Sequence, residues 1–245
     1  SSLGLALVML GLAIAGMTVL TRDADAGHSP TPQDFKVAFI GDQGLRSTSV
    51  DVLDLIKVEG TDMVLHMGDL GYTSDYDAWD QQITDVLGSD FPYFALVGNH
   101  DCCFGVQHAD QGEWPPYQQK LQARLDRIDG ATCVGDLGVL SACSYKGLFF
   151  ILSGIGLSDL GSGVGVPDAD HIAFFRDQLA ANSSIWRICS WHMVHQLMAV
   201  SQKGGVGLEA YDECRLGGAI VATAHDHSYA RTYLMDSFAT QAIAS

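Results

Sequence analysis

Five short apolar runs in this chain each stop at a polar cluster, and that recurrence limits the fold more than any other feature. The runs at residues 35–40, 63–67, 93–97, 185–190 and 219–223 carry the clusters Gly41-Asp42-Gln43-Gly44, Gly68-Asp69-Leu70-Gly71-Tyr72, Gly98-Asn99-His100-Asp101, Trp191-His192 and Ala224-His225-Asp226-His227 at their C-terminal ends. A sixth run spans residues 148–152. Uninterrupted apolar runs of this length read as strands buried on both faces. Helical patterns at 48–58, 76–87, 117–128, 170–181 and 208–215 alternate with them, which predicts an α/β domain. In such sheets ligands bind beyond the carboxyl ends of the strands. Five polar clusters at five strand ends therefore predict one site.

The residue types in those clusters suit a metal. Asp42 and Asp69 each follow a glycine in a tight strand-to-loop turn. His225 and His227 are two residues apart, so an extended strand end directs both to one side. Asn99, His100, Asp101 and His192 complete the set. Singly, each has a plainer role: a carboxylate capping the next helix, a polar turn, a satisfied core histidine. Together they form a mixed carboxylate, amide and imidazole set that favours Fe, Zn or Mn over soft copper.

In this order, GD-x-G, GD-x-x-Y, GNHD, a strand-end His and (G/A)H-x-H, the sequence resembles the calcineurin-like metallophosphoesterases, specifically the purple acid phosphatase type, over residues 35 to about 231. The common D-x-H opening is absent, because Asp42 is followed by Gln43 and Gly44, and Tyr72 stands where the purple enzymes place a tyrosinate ligand. The resemblance implies a four-layer α/β/β/α sandwich and two metal ions, Fe(III) plus a divalent ion (Fe, Zn or Mn). By position, Asp42, Asp69, Tyr72 and His227 would hold the first metal. Asp69 as a bridge, Asn99, His192 and His225 would hold the second. His100 would contact the phosphate and serve the leaving group, with Asp101 orienting it. The implied reaction is hydrolysis of phosphate monoesters by attack of a metal-bound hydroxide. Two departures accompany the match. Ala224 replaces the usual glycine, and Met193-Val194-His195 follows His192 in place of an HxP-type continuation. His195 is left open between a substrate-contacting and a surface histidine. The family fold usually continues with further strands beyond the last motif, so the residues after Arg231 imply a truncated C-terminus or a short second sheet.

Charge narrows the partners. With 13 Lys and Arg against 29 Asp and Glu, the net charge is −16. Such a surface repels nucleic-acid backbones and anionic membranes, which are bound through Lys and Arg, so no nucleic-acid partner is expected. A phosphorylated small molecule remains an acceptable substrate if a metal centre supplies local positive charge. Fe(III) with a divalent ion brings about +5, and two carboxylates with one tyrosinate remove about 3, leaving about +2.

Residues 3–20 carry no charge and approach a membrane span in length. They are expected to form an apolar helix over 1–20, read as a membrane anchor or a filament core, with a retained signal sequence as the third alternative. Its small residues are spread around the helix, which suits self-assembly into an oligomer or filament. Residues 21–34 read as a linker and 35–245 as the catalytic domain. Six cysteines without a CxxC pair argue for disulfides in an oxidising compartment, with the pairing open and Cys189 readable as a buried thiol. The long stretch 102–145 reads as an inserted, partly helical lid or specificity loop. The expected protein is therefore an extracytoplasmic metal-dependent phosphatase, secreted or held at the cell surface. The rival reading is a filament-forming or surface structural subunit carrying a phosphatase-like domain.

Overall fold

The structure, a computed structural model, describes residues 30–102, 113–157, 166–200 and 203–244. The apolar run 3–20, most of the linker, and His28, His108 and Cys103 lie outside the described residues. Among those described, no helix is long and apolar enough to cross a membrane.

Three parallel strands, β1 (Val37–Ile40), β2 (Met63–His66) and β3 (Tyr93–Ala95), form the first sheet in chain order, linked by α1 (Ser47–Val58) and α2 (Tyr76–Leu87). The Asp75 carboxylate caps α2 by accepting from Ala78 N at 3.0 Å, supplying a partner for an otherwise unbonded first-turn amide. Beyond the first sheet come α3 (Trp114–Leu125), β4 (Thr132–Asp136), β5 (Leu140–Tyr145) and β6 (Leu148–Ser153). Then follow α4 (Asp168–Ala181), β7 (Trp186–Trp191), α5 (Leu208–Leu216) and β8 (Ile220–Ala222). Strands β4 to β8 form the second sheet in sequence order, antiparallel through β4–β5–β6 and parallel through β6–β7–β8. A short antiparallel pair, β9 (Met235–Ser237) and β10 (Ala242–Ile243), follows.

The alternation of side chains along strands builds the layers. On β3, Tyr93 faces the helices, its ring 6.0 Å from that of Trp79 on α2, while Phe94 faces the second sheet and meets Phe150 of β6 edge-on at 4.8 Å. On the far side Trp191 of β7 stacks on Phe175 of α4 at 5.8 Å and meets Tyr211 of α5 at 4.9 Å. The result is the expected four-layer α/β/β/α sandwich. Trp79, Trp191, Phe94 and Phe150 are buried, whereas Trp186 is half exposed at the start of β7.

Two sequence expectations need correcting. Beyond its expected helix, the described part of the stretch 102–145 is sheet and not lid. It contributes α3, whose Pro115 and Pro116 open the helix by occupying positions that need no N–H, and the β4–β5 hairpin that widens the second sheet. The hairpin escaped notice because β4 is exposed and carries little apolar sequence. Cys189 is not a free thiol: it is bonded to Cys214 and ties β7 to α5, while Cys133 and Cys143 pair across β4 and β5.

Behind the end of β6 lies a buried polar pair. Ser153 Oγ accepts from Ile155 N at 3.2 Å and lies 2.9 Å from His171 Nδ1. The Ser153 hydroxyl and His171 Nδ1 share one proton, and Nε2 on the other side of the ring is buried without a hydrogen-bond partner. Burial lowers the His171 pKa to about 4, against the raising effect of Asp168 and Asp170. Because the folded value lies below the ordinary 6.5, this contribution to stability is complete above pH 6.5. It falls as pH drops towards 4, by up to about 3 kcal/mol. Urea unfolding at pH 7 and pH 4 should show the wild type losing about that much more than His171→Gln. Equal losses would clear His171 of the role.

Candidate metal centre

Every expected site residue lies just beyond a strand. Strands β1, β2 and β3 are parallel, so Asp42, Asp69 and Asn99 emerge at one end of the first sheet. Strands β7 and β8 are parallel in the second sheet and deliver His192 and His225. The pairing of β1 with β2 continues past the strands: Asp42 N, Gln43 N and Gly44 N donate to the carbonyls of Gly68, Asp69 and Leu70 at 3.0 Å each. The β7 and β8 loops are joined by Ala224 N donating to His192 O at 3.2 Å. Glycine makes the close approaches possible. A Cβ on Gly98 would lie 2.2 Å from Asp69 N, and one on Gly41 would lie 2.4 Å from Ala224 Cβ. The latter contact joins the two sheets, and alanine at 224 is small enough to permit it.

Asp42, Asp69, Tyr72, His225 and His227 all have positive φ, between 51° and 71°. Non-glycine residues seldom occupy this region, and strained backbone of this kind gathers at functional sites. The clusters are bent to aim their side chains.

Those side chains form two groups. In the first, Tyr72 Oη lies 3.1 Å from Asp42 Oδ1 and 3.2 Å from His227 Nε2, and His227 Nε2 lies 3.2 Å from Asp42 Oδ1. In the second, His192 Nδ1 lies 2.7 Å from the Met67 carbonyl and so donates to it, which turns the Nε2 lone pair to Asn99 Oδ1 at 3.0 Å and Asp69 Oδ2 at 3.3 Å. Asp69 Oδ2 is buried and accepts no hydrogen bond. A His225 ring nitrogen joins Asp69 and His192 within 4.8 Å.

The donors fit cations. In the first group the Tyr72 hydroxyl donates to Asp42 Oδ1, so a proton lies where a cation would draw the same atoms together. Neighbouring ligand atoms around a metal with bonds of about 2.1 Å are separated by about 3 Å, close to the spacing in both groups. The electrostatics agree. Burial would raise the Asp69 carboxyl, but His192 and the His100 N–H hold it at about 2. Burial first, with His192 and Lys203, lowers His225 to about 4 and leaves its lone pair available. Burial opposes charge on His192, yet Asp69 holds its pKa above the ordinary value. Burial and the charges of Asp69 and Asp42 push the Tyr72 phenol far up, so only a strong nearby cation would make it a phenolate.

His100 is half-buried beside these groups, its ring 4.7 Å from that of Tyr72 and its backbone N–H donating to Asp69 Oδ1 at 2.8 Å. Asp101 has a connection that sequence reasoning missed. Fully buried, it accepts from Asp69 N, Leu70 N and Gly98 N, each at 2.8 Å. Its carboxylate thus ties the β2 and β3 loops together. Burial and Asp69 push its pKa up to about 8, against the amide bonds that favour its charge. His195 is occupied away from the two groups, accepting from Leu197 N at Nδ1 and donating its own N–H to Tyr211 Oη. His66 is fully buried on β2. Lys203, which no motif marked, donates from Nζ to the His225 carbonyl at 3.1 Å; only its glycine-rich surroundings set it apart in the sequence.

The family model described as calcineurin-like phosphoesterase matches residues 35–229. Among solved structures, the chain is similar to a purple acid phosphatase from yellow lupin (Lupinus luteus) seeds, with a TM-score of 0.50 and 17% identity over 79% of this chain. It spans only 38% of the lupin chain, and the likeness is one of fold. A dimetal phosphatase from Danio rerio aligns with a TM-score of 0.49 and 15% identity, over 77% of this chain and 86% of that one. No curated protein matches.

Replacing Asp101 by Asn turns one of its acceptors into a donor facing a buried amide. Stability should fall by about 2 kcal/mol, and metal affinity should fall with it as the Asp69 loop loosens. Urea unfolding and metal titration measure the two. Unchanged stability would show that the three amides do not depend on this carboxylate.

Proposed function

The chain belongs to the calcineurin-like phosphoesterase family, and from that premise we propose that it hydrolyses phosphate monoesters at a centre of two metal ions, outside the cytoplasm. The carrying observation is the pair of ligand groups, each with three electron-rich atoms 3.0–3.3 Å apart along the measured edges. Asp42, Tyr72 and His227 would hold one ion and Asn99, His192 and His225 the other, with Asp69 shared between them. Bound there, the ions would supply the positive charge that gathers phosphate and a water activated for attack at phosphorus. The identity we infer is Fe(III) with a divalent ion (Fe, Zn or Mn), supported by Tyr72 in the first group.

The chain's own residues do the rest. His192 is fixed as a ligand by its hydrogen bond to Met67 O, an outer contact that sets tautomer and ring orientation. His100 stands beside the Tyr72 ring, where its imidazole can hold a proton for the departing oxygen. Asp101 acts at one remove, as a positioning residue for the Asp69 and Asn99 loops. The Cys133–Cys143 and Cys189–Cys214 disulfides support an oxidising compartment. Residues 3–20 would tether the domain to a membrane or assemble it into a filament, with 21–34 as the linker and 35–245 as the catalytic domain.

Three measurements test the reading. Protein purified with iron should be pink or purple and release phosphate from phenyl phosphate. Tyr72→Phe should lose the colour and keep its metals. A colourless, fully active wild type would remove the iron–tyrosinate assignment alone, whereas no phosphate release with Fe, Zn or Mn would sink the enzyme reading. His100→Ala should retain both metals and slow turnover by roughly 10²–10⁴-fold. Lost metal with undiminished turnover per bound pair would reverse the roles given to His100 and its neighbours.

A further inference from the structure

We propose that Lys203 is a specificity residue, binding a second anionic group on the phosphate ester held at the metal centre. This inference rests on the phosphoesterase reading above. Lys203 lies in the connection between β7 and α5. The base of that connection is closed by Gly205 N donating to Val194 O at 3.0 Å. Its far side rests on the β8 loop, where Val200 N donates to Asp226 Oδ2 at 2.6 Å and Lys203 Nζ donates to His225 O at 3.1 Å. The ammonium is thereby held against the backbone of a candidate metal ligand. The glycines that follow pack closely on the preceding loop: a Cβ on Gly204 would come within 2.8 Å of Gln196 N, and one on Gly205 within 2.7 Å of Met193 Cε.

The distribution of charge supplies an independent observation. Lys120, Arg124, Arg127, Arg176 and Arg215 each pair with a carboxylate. Lys203 is in none of these pairs, as Lys36 and Arg187 are not. Of the lysines and arginines among the described residues, however, Lys203 is the one whose side chain donates to a residue of the candidate centre. A lysine ammonium has three donors, so two remain beside a centre that gathers anions, on a chain of net charge −16. A flexible point charge of this kind accepts anionic oxygens of varied geometry. It suits a carboxylate or a further phosphate carried by the ester.

The matched pair glycerol 3-phosphate and 3-phosphoglycerate tests this, because the two differ by a hydroxymethyl against a carboxylate. The metal-loaded wild type should favour 3-phosphoglycerate in kcat/KM, and calorimetry should show it binding more tightly. Lys203→Met should cut that preference about tenfold in both readouts, and Lys203→Arg should restore most of it. Phenyl phosphate hydrolysis by the three proteins should stay within threefold. No preference in the wild type, or a preference unchanged in Lys203→Met, overturns the inference, as does an equal loss with all three esters. A wild type that hydrolyses none of them refutes the phosphoesterase reading itself, and this inference falls with it.

Discussion

The carboxylate of Asp101 holds together the part of the molecule on which the centre depends. It accepts three backbone N–H groups drawn from two loops, at Asp69, Leu70 and Gly98, while buried from solvent. Gly98 can sit there only because it has no Cβ. The Asp69 side chain is then fixed from the opposite direction by the His100 N–H. Asp42 in turn accepts from His225 N at 3.0 Å, which links the first sheet to the loop after β8. A chain of carboxylate-to-amide bonds thus runs through both sheets. The ligand atoms inherit their positions from it.

Such order has an energetic cost. Five residues of the centre sit in the left-handed region, at roughly 1 kcal/mol or more each. The sum is comparable with the whole stability of a typical domain, so the aromatic layers behind the loops must offset it. Trp79 with Tyr93, Phe94 with Phe150, and Trp191 with Phe175 and Tyr211 lie directly behind the loops that carry Asp69, Asn99 and His192. The Cys189–Cys214 bond secures the same β7 strand two residues before its end. Rigidity is concentrated where the side chains of the candidate centre meet.

Much of this was legible in the sequence, because fully buried strands and glycine-bounded turns leave a strong local signal. The strand ends carrying Asp42, Asp69, Asn99, His192 and His225 could be read from apolar runs that stop at polar clusters, and the structure brings those residues together. What stayed hidden depends on contacts made far along the chain. The β4 strand is exposed and glycine-bearing, so it lacks the period of a buried strand. The bonds of Asp101 span up to 32 residues, and no short motif distinguishes a carboxylate that faces backbone amides from one that faces an imidazole. His171 lies in a polar stretch, yet its helix turns it inward onto Ser153.

Surface charge and site chemistry pull in opposite directions, and the fold reconciles them by distance. Charge at the exposed surface is screened within about 8–10 Å in salt, whereas a cation bound between buried carboxylates acts on its ligands with little screening. With cations held there as proposed, a phosphate ester would meet weak, screened repulsion far away and attraction at the mouth of the centre. Asp69 is almost fully buried and Asp42 nearly so, which keeps their charge directed at the centre and away from solvent. The carboxylates of Asp51 and Asp54 on α1 and of Asp77 and Asp85 on α2 are exposed instead. An anionic surface would thus coexist with the proposed anion-binding centre, provided the positive charge is assembled from the strand ends inward.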